Sequence, residues 1–396
     1  MTTATHADAP ARLYSGPLVA LLAVTFLGFL HNLLLQPVLP LLVLDRGGDA
    51  TLVGIVVAAF SIPSVVMRTV FGRLVDEWNH RLVYLVGTIG LAVASFAYLL
   101  PSLALILVVR LGHGIAWAAF NTGGHTGLAR LAPAERRGEA SGVFNLMPGL
   151  AQLIGPALGL AILGASSFAG PFVVAGVAAI LGAAIVLSGR LRLPTAPAHQ
   201  PAAATRGVGG FLEPGAVLPM TLELLFTTSS TLFLVYPPVF AALSGIPISD
   251  LTLYYPIYGG TLVISRFLLR RAMDRLDRGR IVAVGAGVAI VALSVAAAVP
   301  TLPGLTIAGA LYGFAAAFTS PTLMAAAIDR SAPARIGAAM ATYSLGYQLA
   351  LGVGAAIWGV VIDRIGYPAP YVLAAGSQLL VLGLIATVWR RRPDVA

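Results

Sequence analysis

An all-α polytopic membrane protein, with twelve spanning helices in two pseudo-symmetric six-helix bundles, is the fold class that this sequence predicts. Three observations predict it. The first is composition: of 396 residues, 58% are hydrophobic and only 10% charged, with a mean hydropathy of +0.91. Soluble domains carry about 25% charged residues, so this chain has too few to cover a water-facing surface and is solvated largely by lipid. The second is a biased distribution of arginine between alternate loops. The third is an echo of charged and glycine positions at an offset near 200 residues. The 44 glycines and 26 prolines, many inside apolar runs, fit the same class, because membrane helices tolerate both where neighbours re-satisfy the backbone.

A span needs about 20 mostly apolar residues. That ruler puts the first at 17–44, behind a segment with one arginine, Arg12. No small-residue cleavage site follows the run, so the first helix is read as retained. The second span, 51–72, and the third, 82–100, enclose Arg73 and Arg81. The fourth, 103–127, and the fifth, 138–163, enclose Arg130, Arg136 and Arg137, and the sixth, 168–189, ends on Arg190 and Arg192. The seventh, 215–242, follows Arg206; the eighth, 250–270, and the ninth, 281–299, enclose five arginines. The tenth, 304–327, and the eleventh, 336–361, enclose Arg330 and Arg335, and the twelfth, 369–389, runs into Arg390, Arg391 and Arg392.

All 24 basic residues are arginine. With both termini cytoplasmic, nineteen lie on the inner side, only Arg46 and Arg364 on the outer, and Arg68, Arg110 and Arg266 inside spans. That is the positive-inside bias, and an odd number of spans would scramble it. The formal charge of +9 therefore reads as topology in a cell (inner) membrane, not as a nucleic-acid face. Cysteine is absent, which excludes disulfides and thiolate metal sites.

Between the sixth and seventh spans, 191–213 turns to Pro, Ala, Gly and Arg (PTAPAHQPAAATRG) and reads as a cytoplasmic linker without a core. It divides the chain into 1–190, the linker, and 214–396. The halves echo one another: Arg68 and Asp76 recur as Arg266 and Asp274, Arg130 and Pro133 as Arg330 and Pro333, and Gly138 as Gly337. Parallel six-helix repeats are the plan of proteins that rock around a central site.

The loop after the second span reads GRLVDEWNHRLV, with a weaker copy, RRAMDRLDRGRIV, after the eighth. An Asp beside a helix end accepts hydrogen bonds from arginine and from backbone donors of a neighbouring helix; the bland alternative is a solvated loop that sets topology. The fourth span carries RLGHGIAWA, where Arg110, expensive inside a bilayer by about 2.5–3.5 kcal/mol, needs an interior acceptor, and His113 stands one turn away. The fifth carries GLAQLIGPALG, whose small residues allow close helix approach and whose Pro156 bends the helix.

These segments resemble the motifs of the major facilitator superfamily, most like its twelve-helix drug:proton antiporter branch. Gly72, Asp76 and Arg81 match its loop signature, with Asp274 and Arg280 in the second copy, and the resemblance implies a latch between halves. Arg110 and Gly114 match a fourth-helix motif of proton-coupled members, although His113 stands where the family usually has Gln. Gly149, Gly155, Pro156 and Gly159 lie in the segment similar to its antiporter motif. PVLP, Pro37 to Pro40, is similar to a first-helix motif of exporters, without the upstream glycine at the usual spacing.

The resemblance implies that the first, fourth, seventh and tenth spans line a central cavity. Glu223 lies about eight residues into the seventh, roughly 12 Å along its axis, and is the expected proton carrier; pairing with an inner-gate arginine is the alternative. Arg110, His113 and His31 are further proton-coupling candidates. Asn32, Gln36, Asn121, Thr227, Tyr312, Tyr343, Tyr347 and Gln348 are candidates for the substrate cavity, each set against a role as interhelical glue. Arg68 and Arg266, eight residues before the two loop aspartates, suggest an inner gate, with snorkelling to headgroups as the alternative.

The function implied is proton-coupled efflux, by alternating access, of a small amphipathic or cationic molecule. Proton-coupled uptake of a sugar, organic acid or amino acid is the runner-up. An intramembrane enzyme or receptor finds no HExxH, GxSxG or nucleotide loop to support it. The partners expected are a small-molecule substrate, protons and the lipid bilayer. No cofactor, metal or nucleic acid is expected, and the chain is read as a monomer.

Overall fold

A computed structural model describes residues 14–77, 79–133, 136–191, 212–332 and 335–389; at 76–77, 270–272 and 274 only the backbone is described. The linker expected at 191–213 lies, apart from its end residues, outside them. All the described secondary structure is helical. In chain order the first half comprises α1 (Gly16–Leu35), α2 (Val38–Asp45), α3 (Ala50–Glu77), α4 (His80–Ala97), α5 (Leu103–Leu131), α6 (Arg137–Ala165) and α7 (Ala169–Leu187). The second comprises α8 (Pro214–Leu234), α9 (Pro237–Leu243), α10 (Tyr254–Arg275), α11 (Arg278–Ala298), α12 (Leu302–Asp329), α13 (Ile336–Ile365) and α14 (Ala369–Thr387).

The expected first and seventh spans are each broken, and at equivalent places. α1 stops before Pro37 and resumes as α2; α8 stops before Pro237 and resumes as α9. Proline removes a backbone donor and clashes with the preceding turn, so each span bends near the side away from the termini. Side chains from outside the helices close several starts: Ser15 accepts from the Leu18 amide, Asn79 from Arg81, Asp277 from Arg280 and Thr301 from Gly304. Such caps satisfy orphan amides.

Eleven helical segments among the described residues are long and apolar enough to cross a membrane, with α1 and α2 forming one of them. The twelfth span, α10, has 22 residues but carries Arg266, Arg270, Arg271 and Arg275 toward one end. Its expected start at 250 instead forms a short 3-10 turn, Ile248–Leu253. α10 packs against α12 of its own half and α6 of the other.

The two sides of the molecule are built differently. The largest apolar cluster joins the halves on the far side from the termini, bringing Leu39, Leu42 and Val53 together with Phe233, Tyr236, Tyr255 and Trp358. On the terminus side the apolar core divides. One cluster, with Leu21, Tyr84, Trp117, Phe144 and Val186, belongs to the first half; another, with Leu222, Val282, Leu323, Tyr343 and Trp389, belongs to the second. The longest contact between halves is α3 along α13. There a Cβ at Gly54 would collide with the Ala355 carbonyl, and one at Gly359 with that of Ala50. Small residues let these backbones touch.

Candidate functional site

In the first half, α5 presents Arg110 and His113 on neighbouring turns of one face. Arg110 is 8% exposed. Its Nε donates to the Val56 carbonyl at 3.2 Å, and its guanidinium lies 4.3 Å from the centre of the Phe60 ring. His31 of α1 and His113 meet Nε2 to Nε2 at 3.2 Å. His31 Nδ1 lies 3.1 Å from the Ala175 carbonyl and 3.2 Å from the Ser95 hydroxyl. His113 Nδ1 lies 3.0 Å from the Tyr98 hydroxyl and 3.4 Å from Arg110 Nη1.

One proton per ring satisfies that chain. His31 Nδ1–H donates to Ala175, His113 Nε2–H donates to His31, and His113 Nδ1 accepts from Tyr98 and Arg110. Three of the four proton-coupling candidates read from sequence, His31, Arg110 and His113, therefore form one buried, bonded cluster joining α1, α3, α4, α5 and α7.

In the second half, Glu223 of α8 is fully buried, so it does not face an open cavity as expected. The seventh span turns it toward α12 and α13, behind its own hydroxyl neighbours. Its Oε1 accepts from Thr227 at 2.8 Å and from Ser320 at 2.9 Å, while Oε2 is buried without a hydrogen-bond partner. The Tyr343 hydroxyl donates to the Ser320 carbonyl at 2.8 Å. The alternative pairing of Glu223 with a gate arginine is absent among the described ion pairs. Tyr312 is also buried rather than cavity-lining. It donates to the Phe226 carbonyl at 2.6 Å and lies 2.9 Å from the Ser229 hydroxyl, which Gln378 reaches at 2.7 Å.

Tyr347 of α13 keeps 41% of its surface accessible. Arg266 is exposed and donates from Nε to the Ala317 carbonyl at 3.3 Å. Arg68 is half-buried, and its Nε is enclosed without a hydrogen-bond partner. Within the first half, Phe29, Phe120 and Phe144 surround a closed crevice with Asn121 and His125, and Phe120 and Phe144 are buried. Asn121 donates to the Trp117 carbonyl at 3.3 Å. Asn32 is half-buried and Gln348 buried.

The far side is closed by polar contacts as well as by oil. Gln36 donates to the Leu234 carbonyl across the halves at 3.4 Å. Asp363, at the far end of α13, accepts from the amides of Ala50 and Thr51 at 3.3 and 2.6 Å, and from the Thr51 hydroxyl at 2.5 Å. It caps the start of α3 in the other half. These are the hydrogen bonds between halves among the described residues, and all lie on the far side.

The inner latch expected from the loop motifs is corrected in part. The side chains of Asp76 and Asp274 lie outside the described residues. Arg81 does not cross the halves: its Nε and Nη2 donate to the Val186 and Leu187 carbonyls at 2.9 and 2.5 Å, because the orphan carbonyls ending α7 are its nearest acceptors. Arg280 is exposed, and its amide is held by Asp277 of its own half at 2.9 Å. A Cβ at Gly72 would meet open space. In the fifth-span segment Gly149 likewise has open space. Gly155 and Gly159 are the close-approach positions, the first against Leu33 and Leu34, the second against the Leu34 carbonyl. Pro156 between them is buried.

Sequence reasoning overlooked Asp363, Ser320, Tyr98, Ser95 and His125. Asp363 reads as an ordinary loop charge beside Arg364, since its partners stand more than 300 residues away. Serine and tyrosine read as glue in any span. Among the described residues no three His, Asp or Glu side chains are grouped to hold a metal.

The sequence profile of the Major Facilitator Superfamily matches residues 21–294 and, overlapping them, 221–396. The staphylopine export protein of Staphylococcus aureus is 27% identical over 151 residues, and the match covers 38% of each chain. An uncharacterised MFS-type transporter of Bacillus subtilis, YddS, is 24% identical over 90% of this chain and 87% of its own. The crystal structure of the nucleoside transporter NupG superposes with a TM-score of 0.75 at 17% identity, over 93% of this chain and 99% of its own. With a bundle of spanning helices, an apolar core that divides between its halves on one side and a profile match along nearly its whole length, this chain belongs to the Major Facilitator Superfamily and is a membrane transporter, not an enzyme.

Proposed function

We propose that the chain is a proton-coupled exporter of a small amphipathic solute, working by alternating access between a first bundle, 1–190, and a second, 214–396. The observation that carries the coupling is Glu223: a buried carboxylate with one oxygen bonded by two hydroxyls, the other without a hydrogen-bond partner, and no cation paired to it among the described residues. A lone buried charge is costly, so this carboxylate is stable when a proton or a cationic group neutralises it. Its hydroxyl shell joins α8 to α12, and Tyr343, donating to the Ser320 carbonyl, extends that shell to α13. Proton exchange at Glu223 thereby alters the packing of helices that must move.

Export is supported by the build of α6. Gly155, Pro156 and Gly159 seat it hard against α1 and seal the far side, and the name of the staphylopine export protein points the same way. The arginine bias supports a cytoplasmic position for both termini and the linker, and on that reading the terminus side, where the apolar core divides, faces inward.

The test is reconstitution of the full chain into liposomes, with an imposed pH gradient and a panel of labelled solutes. Glu223→Gln is expected to abolish pH-driven accumulation while leaving solute counterflow in place. Unchanged pH-driven accumulation in that variant would end the assignment of Glu223.

A further inference from the structure

α10 and α11 are consecutive in the chain, yet each packs on α12 far more than on the other. Toward the terminus side they leave a groove of about 280 Å³ between them. α12 forms its floor with Phe314 and Phe318, whose rings meet edge to face at 5.3 Å. Leu269 and Leu276, in and just after α10, make one wall, and Ile281 and Val284 of α11 make the other. Leu276 and Val284 are 56% and 59% exposed, so the groove opens on the outside of the bundle. Its charged lining residue among those described is Arg280, near the start of α11.

The groove has the depth of one leaflet. Phe318 and Phe314 lie roughly 16 and 22 Å along α12 from its end at Asp329, and the hydrocarbon of one leaflet is about 15 Å thick. The groove therefore runs from headgroup level, where Arg280 stands, to the middle of the bilayer. The acids around Arg280 are engaged elsewhere. Asp329 pairs with Arg278, and Asp277 caps the Arg280 amide at 2.9 Å. The Arg280 side chain is exposed, and no carboxylate is paired with it among the described residues. The stretch 270–280 holds five arginines against two aspartates.

Lipid tails are as apolar as these walls, so the groove without Arg280 would accept any acyl chain. A guanidinium at its mouth adds a choice of headgroup, because its planar fork binds a phosphate through two parallel bonds and draws anionic lipid. A second copy of the chain fits poorly: it would bring the same arginine-rich side against Arg280, and like charges repel.

We infer that this groove binds an anionic phospholipid of the leaflet on the terminus side, one acyl chain lying along Val284, Phe318 and Phe314 and the phosphate on Arg280. The lipid braces α10, the helix that packs against α6 of the other half. The site stands apart from Glu223 and from the direction of transport.

The test uses purified, delipidated full-length protein in neutral detergent while thermal unfolding is followed. Three probes are titrated: dioctanoyl phosphatidylglycerol, dioctanoyl phosphatidylcholine with the same chains, and glycerol phosphate, which carries the charge without chains. The expected result is stabilisation by phosphatidylglycerol, less by phosphatidylcholine and none by glycerol phosphate. Apparent affinity for phosphatidylglycerol should fall at least about fivefold in Arg280→Gln, stay nearer the native value in Arg280→Lys, and be unchanged in Arg190→Gln. Phosphatidylglycerol with a photoreactive group in one chain should label the segments 276–284 and 314–318.

Equal stabilisation by the two lipids would overturn the inference, leaving a groove that any lipid fills. Glycerol phosphate acting as well as phosphatidylglycerol would also overturn it, as would full affinity in Arg280→Gln or labelling confined to other segments. A dimer in detergent that Val284→Arg splits into monomers would assign the groove to a second copy instead. If the Arg280 variants do not fold, the probe comparison and the labelling of the unaltered protein decide.

Discussion

The two histidines illustrate what burial demands of a single side chain. His31 and His113 are fully enclosed, and each ring nitrogen has a partner within 3.2 Å. Removing one ring strands the groups it served, and an unsatisfied buried polar group costs about 1–3 kcal/mol. His113→Phe is therefore expected to lower the melting temperature in detergent more than Tyr98→Phe, which orphans only one acceptor and spares the His–His bond. Equal melting temperatures would mean that the bond between the rings contributes nothing. Arg110 and His113 were legible as candidates because a charge in an apolar run needs an explanation. Tyr98, which serves His113, and Ser95 and Ala175, which serve His31, were not, since nothing local marks a tyrosine, serine or carbonyl as the partner chosen in three dimensions.

At the scale of elements, the fold closes one end with a helix cap that crosses between halves. A carboxylate at a helix start contributes about 0.3–1 kcal/mol through the macrodipole, besides the amides it satisfies. Asp363→Ala is thus expected to shift the balance toward far-side opening by up to about fivefold. The chain has no cysteine, so a single Gln36→Cys reporter is the sole thiol for a membrane-impermeant maleimide. Its labelling rate should rise when Asp363→Ala is added; a rate unmoved by that change would show that the cap does not hold the closure. Helix positions followed from the apolar runs to within a few residues. The breaks at Pro37 and Pro237 were visible only as prolines, because a proline in a long apolar run bends the helix or ends it according to what packs around it.

For the whole molecule, the division of the core is the decisive feature. Apolar contact is continuous across the halves on the far side and interrupted on the terminus side, the packing of a molecule open at one end. Its orientation is testable without function. Single cysteines placed within 192–211 should react with impermeant maleimide only after cells are permeabilised, as expected if the arginine-rich side is cytoplasmic. Labelling of intact cells would invert the topology and with it the side on which the core divides.

Composition and the spacing of apolar runs were enough to determine a lipid-solvated bundle of twelve spans and its repeat, because the bilayer imposes length and hydropathy on each span separately. Which polar side chains meet was decided only by the tertiary structure. Glu223 is enclosed by hydroxyls, Arg81 turns to its own half, and Asp363 reaches across the molecule, because hydrogen bonds between helices depend on rotation and depth that no single span encodes.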